Sequence, residues 1–143
     1  MKRVTQALLF CCSLLLCCLL WAQEHAYTPQ PGNLERKAIL DTLRSSVEKK
    51  LKRAVSFKVD HLKVQNGWAF LRGMPLQPNG KPVTYKGTPY EEAIEQGMFD
   101  DGISALLQKR RDSWHIVVYV IGATDVSYED WSQKYQAPPA IFQ

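Results

Sequence analysis

Apolar residues recur at Ile39, Leu40, Leu43, Val47, Leu51 and Ala54. Steps of three and four residues place them on one stripe, and an amphipathic helix of about five turns is predicted, with Asn33 as its N-cap. The opposite face carries Arg36, Lys37, Arg44, Lys49, Lys50, Lys52 and Arg53. Its cations gather in the last turns, where the helix dipole favours them. Beyond residue 56 the period changes to two. Phe57 and Val59 alternate with Lys58 and Asp60, but Leu62 and Val64 fall on the other parity. A strand that must keep one face on a core can slip phase only by adding a residue, so a β-bulge is predicted near Asp60–His61. Asn66–Gly67 fits a two-residue hairpin turn into a second strand from Trp68 to Met74, which Pro75 and Pro78 end.

Residues 77–102 are irregular in pattern. Asn79–Gly80 reads as a turn, Val83-Thr84-Tyr85 as a short edge strand, and Thr88-Pro89-Tyr90-Glu91 as a capping box opening a short helix that runs to Gly97. A third strand is predicted over 103–109 and a fourth over 114–121. The fourth, Trp-His-Ile-Val-Val-Tyr-Val-Ile, is apolar on both faces and is expected in the centre of the sheet. Ser127 is the expected cap of a final short helix carrying Tyr128, Trp131 and Tyr135, and Pro138–Pro139 is expected to end regular structure. No internal repeat is visible. The order predicts an α+β fold: a long N-terminal helix packed on the concave side of a curved four-stranded (or slightly larger) antiparallel sheet, with a short C-terminal helix.

The first residues change where this fold is expected to work. Lys2 and Arg3 precede an uncharged run over residues 7–20, followed by Ala22 and then polar sequence. A charged start, a short apolar block and a small residue make a secretory signal peptide the expected reading of residues 1–22. The run is short for a retained membrane anchor, and no cysteine in it follows the small residue a lipoprotein would need. Residues 23–32, with two prolines and a glycine, read as a flexible lead, and residues 33–143 as one α+β domain. Cleavage leaves 121 of the 143 residues and takes the formal charge from +4 to +2, because Lys2 and Arg3 leave and no acid does. It also removes all four cysteines, and with them any disulfide, thiolate nucleophile or cysteine-ligated zinc. The expected location is periplasmic or secreted. The small charge excess gives no ground for nucleic-acid binding, and no transmembrane helix is expected after cleavage.

Three motifs carry a resemblance: Gly67-Trp68-Ala69-Phe70, Ala105-Leu106-Leu107-Gln108-Lys109, and Trp114-His115-Ile116-Val117-Val118. Together with the Gly122…Thr124-Asp125-Val126…Trp131…Tyr135…Pro138 ending, they resemble small bacterial exported proteins with a cystatin-like or NTF2-like α+β roll. The likeness covers roughly residues 33–143 and implies a fold and bacterial export. It leaves function open, because such folds include enzymes, binding modules and inhibitors.

The candidate chemistry is sparse. His61, at the expected bulge, Asp125, after the last strand, and Tyr119 are the candidates for acid–base catalysis. The three histidines, at 25, 61 and 115, show no metal-ligand spacing, so neither a metal nor a cofactor is expected. Asp100-Asp101-Gly102 reads as a solvated turn rather than a calcium loop. Lys49, Lys50, Lys52 and Arg53, with Trp131, form the candidate binding surface, the basic residues for anionic lipid, a cell-wall polymer or an acidic partner. The leading expectation is an exported non-enzymatic module that binds a protein or small ligand. The alternatives are a small NTF2-like enzyme using His61 or Asp125 in a concave pocket, and a structural homodimer formed through the sheet.

Overall fold

The computed structural model describes residues 25–143. The expected signal peptide lies outside them, and no helix among the described residues is long and apolar enough to cross a membrane. The fold is α+β, with one four-stranded antiparallel sheet and helices. In chain order the elements are α1 (Leu34–Leu51), β1 (Ser56–Gln65), β2 (Trp68–Leu76), α2 (Glu91–Glu95), β3 (Ile103–Arg110), β4 (Ser113–Ile121) and α3 (Trp131–Tyr135). A 3-10 turn at Pro139–Phe142 follows. The strands lie in the order β1-β2-β3-β4, an up-and-down meander. The sheet is open and not strongly curled, so the expected concave bowl is not what the helix packs into.

α1 starts as its sequence dictates. The Asn33 side chain accepts a hydrogen bond from the Glu35 amide at 2.8 Å, satisfying one of the first-turn donors. Lys52, in left-handed backbone at φ 55°, ends the helix, so Ala54 leaves the stripe and Val55 takes its place in the core. Ile39, Leu43, Val47 and Leu51 are buried against Leu62, Val64, Ala69, Leu71, Ile103, Ala105 and Leu107. The intervening side chains Phe70 and Leu106 point to the other face, as strand alternation requires. There Trp131, Ala137 and Ile141 of the C-terminal segment cover them. The sheet is therefore covered twice, by α1 on one face and by the chain's end on the other. Pro138–Pro139 does not end regular structure. Pro139 opens the 3-10 turn, where a missing N–H costs nothing, and this delivers Ile141 into the second core at 0% exposure.

Four further expectations are corrected. β4 pairs only with β3 and is an edge strand. Its two apolar faces reflect the two covering layers rather than a central position. Residues 83–85 form no strand. Val83 and Tyr85 are buried side chains on a loop whose sheet contact is the Leu76–Pro82 bridge. α2 begins at Glu91, with Thr88 accepting from the Tyr90 amide at 3.3 Å and Glu91 accepting from Gly87, one residue earlier than the expected box partner. α3 begins at Trp131, with residues 127–130 in turns and no cap from Ser127. Before α1, Tyr27 and Val64 exchange backbone hydrogen bonds of 2.9 and 2.8 Å along the outer side of β1.

The bulge is where the phase slip placed it. Val59 pairs with Gly73 and His61 with Arg72, leaving Asp60 unpaired. The added residue puts Phe57, Val59, Leu62 and Val64 all on the α1 face. A second bulge lies in β4, where Leu106 pairs with Val118 and Leu107 with Ile116, so Val117 is the added residue. The first bulge presses the Lys58 carbonyl onto Gly73, and a Cβ there would stand 2.2 Å from that oxygen. Gly73→Ala is expected to cost roughly 2–4 kcal/mol, because backbone rather than a flexible side chain must move. Chemical denaturation of the variant beside wild type measures the loss, and an unchanged midpoint would contradict this account of the bulge.

Candidate functional site

Both ends of the first bulge meet the loops that flank β3 and β4. Asp60, pushed out of the ladder, lies beside Arg72 of β2. Asp100 arrives from the loop before β3, and Asp125, Ser127 and Tyr128 from the turns after β4. Gly122 sets this corner. It holds φ 83°, its carbonyl accepts from the Asp100 amide at 3.1 Å, and the Phe99 ring sits where a Cβ would be. The result is an open cleft of about 260 Å³ over the end of the sheet.

The cleft has an uneven charge. Arg72 is its one cation, and its guanidinium is engaged, donating to the Tyr128 hydroxyl at 3.0 Å and lying 5.6 Å from that ring's centre. Asp60, Asp100 and Asp125 are exposed, and the nearest cation to Asp60 is Lys58 at 4.0 Å. Among the described residues no set of three His, Cys, Asp or Glu side chains is placed to hold a metal ion. The carboxylates thus line the cleft separately. Such an arrangement can hold a hydrogen-bond-donating cation against carboxylates.

The three catalytic candidates occupy three different places. Asp125 alone lines the cleft. His61 lies under the C-terminal turn, its Nε2 2.7 Å from the Ile141 carbonyl and its ring 5.5 Å from that of Phe70. A carbonyl only accepts, so Nε2 carries the proton and ties the chain's end to β1. Tyr119 is on the opposite face, beneath Lys50, where burial pushes its hydroxyl pKa up against the opposing pull of the Lys50 charge.

The basic candidates also separate. The Lys50 ammonium stands 5.4 Å from the ring centres of both Tyr90 and Tyr119. The Tyr90 hydroxyl raises its pKa, with burial acting the other way. Arg53 donates to the Leu51 carbonyl at 3.1 Å, to Thr84 and to Lys86 at 3.0 Å, which closes the end of α1 and clamps the loop across it. Lys49, Lys50 and Lys52 are exposed, and among the described residues Lys49 and Lys52 have no aromatic ring beneath them. Trp131 is 3% exposed and packs edge-on against Phe70 at 6.2 Å. Its place is in the second core, not on a surface. Sequence reasoning located the bulge but singled out His61 rather than Asp60, and it gave no role to Arg72. The phase slip was the available clue to Asp60, since the added residue is the one a bulge re-aims.

Compared with known proteins, the chain matches no family model, no curated protein and no solved structure.

Trp131→Ala is expected to lower stability by about 3–5 kcal/mol, the usual cost of an aromatic deletion in a closed core. Thermal unfolding checks this, and a variant as stable as wild type would place Trp131 outside the core. Tyr85 gives a pH prediction. Its hydroxyl is buried without a partner, and burial, with the nearby Asp101 and Tyr90, pushes its pKa up to about 12. The folded state therefore disfavours the phenolate. Stability is full below pH 10 and falls as pH rises towards about 12, by on the order of 2 kcal/mol. Tyr85→Phe is expected to keep or raise stability at pH 7 and to flatten that alkaline decline in a pH series of denaturation curves.

Proposed function

We propose that the protein is an exported, non-enzymatic binding module whose cleft receives a cationic polar group, the amine or guanidine of a small ligand or of a basic side chain on a protein. The observation that carries this reading is that Asp60, Asp100 and Asp125 all line one cleft whose one cation is already engaged by Tyr128. Each carboxylate comes from a different segment, so the charge excess is assembled by the fold rather than by one acidic run. The cleft is open and polar, which suits recognition of an exposed charged group better than enclosure of an apolar one.

Two other features support a binding role. His61 spends its Nε2 proton on holding Ile141, which leaves the cleft without an imidazole. Lys49 and Lys52 lie on the end of α1, and the cleft lies at the bulge and the β3 and β4 loops, so the exposed cations and the cleft carboxylates are separate surfaces. The charged start and apolar run of residues 1–22 support the exported part of this reading.

Agmatine, a guanidine and amine with no carboxylate, is the probe. Titration followed by amide NMR shifts is expected to move Arg72, Ser104, Asp125 and Ser127 together. Asp125→Asn and Asp60→Asn each weaken binding by about threefold to fivefold, and added salt weakens it further. Both residues are exposed, so the variants fold. Shifts elsewhere on the surface, or affinities unchanged in both variants, would refute the cleft as the recognition site.

A further inference from the structure

The edges of the sheet are treated differently. β1 carries Lys58, Asp60 and Lys63, a bulge, and the Tyr27 bridge along its outer side. These are the devices that stop an edge strand from pairing with another chain. β4 shares one of these devices, its bulge at Val117, but it has neither the charges nor a covering bridge among the described residues. From Trp114 to Ile121 it contains no Asp, Glu, Lys or Arg. Its backbone pairs with β3 alone, and among the described residues no other segment makes a backbone hydrogen bond to Ser113–Val120. Five consecutive side chains, Ile116 to Val120, are only half buried. Ile116 and Tyr119 extend the α1-side core, and Val117, Val118 and Val120 extend the C-terminal one.

We infer that β4 is a homodimer interface, in which β4 of one copy pairs antiparallel with β4 of a second copy to make one eight-stranded sheet. The occupant follows from the strand's own chemistry. A partner strand must be uncharged and apolar on both faces, since it would extend two cores at once, and β4 is itself such a strand. Antiparallel pairing about a two-fold axis sets apolar residues opposite apolar residues and opposes no like charges. Both covering layers become continuous across the axis. Because β1 is protected, assembly closes at two copies and does not continue into a fibre. Both faces of the sheet are covered within each copy, so the sheet can pair through this edge and not through a face. The inference does not rest on the proposed ligand of the cleft, although Val120, at the end of β4, also lines it.

The test uses the protein purified after expression with its own leader. Light scattering on a sizing column is expected to give the mass of two chains, and never more, falling to one on dilution. His115→Lys, at an exposed position on the strand, and Val118→Lys each weaken the dimer by at least about tenfold while far-UV dichroism stays unchanged. Hydrogen exchange decides if a variant fails to fold: in wild type, β4 amides are expected to exchange more slowly as concentration rises, while those of β3 do not change. A single-chain mass up to about 0.5 mM, an assembly larger than two, or a dimer whose β4 exchange is independent of concentration overturns the inference. So does a β4 protected in the single chain by residues 1–24.

Discussion

β2 and β3 are apolar on both faces, and the whole structure depends on covering them twice. Ala69 and Leu71 face α1, while Phe70 faces the C-terminal segment; Ala105 and Leu107 face one way and Leu106 the other. Each fully buried aliphatic or aromatic side chain contributes roughly 1.5–3 kcal/mol, and neither face could be left in water without losing several of them. One amphipathic helix suffices for one face. The other is covered by a short helix, a 3-10 turn and the aromatic set of Phe70, Tyr128, Trp131 and Phe142, whose rings meet at centroid distances of 4.5–6.3 Å. With no cysteine after residue 18, packing of these two layers carries the stability.

The bulge links that packing to the surface. Adding Asp60 keeps four apolar residues of β1 on one core and turns His61 towards the other, where it holds the carbonyl of Ile141. The same addition expels a carboxylate at the end of the sheet. Gly73 permits the close approach on the partner strand, and Gly122 permits the turn that places Asp100 and Asp125 on the same cleft as Asp60. A device required by core phase thus supplies one wall of the polar cleft. The basic end of α1 shows the converse. Lys50 and Arg53 look like binding cations in sequence, yet Lys50 stands over the rings of Tyr90 and Tyr119, and Arg53 is held by the carbonyls of Leu51, Thr84 and Lys86.

Sequence by itself determined what local periodicity and local chemistry control. The α1 stripe, its Asn33 cap, the Asn66–Gly67 turn and the four strands were legible because each depends on residues a few positions apart. The β1 bulge was legible because polar residues mark its phase. The β4 bulge at Val117 was not, since a run in which every residue is apolar has no phase to slip. Tertiary structure alone decided where β4 sits, because a strand apolar on both faces reads the same in the centre of a sheet or at an edge under two covering layers. It decided that Trp131 and Ile141 close a second core, and that Pro139 starts a turn. It also decided the cleft: Asp60 and Arg72 meet through the first hairpin, but only the pairing of β2 with β3 and the turns beyond place Asp100 and Asp125 on the same cleft.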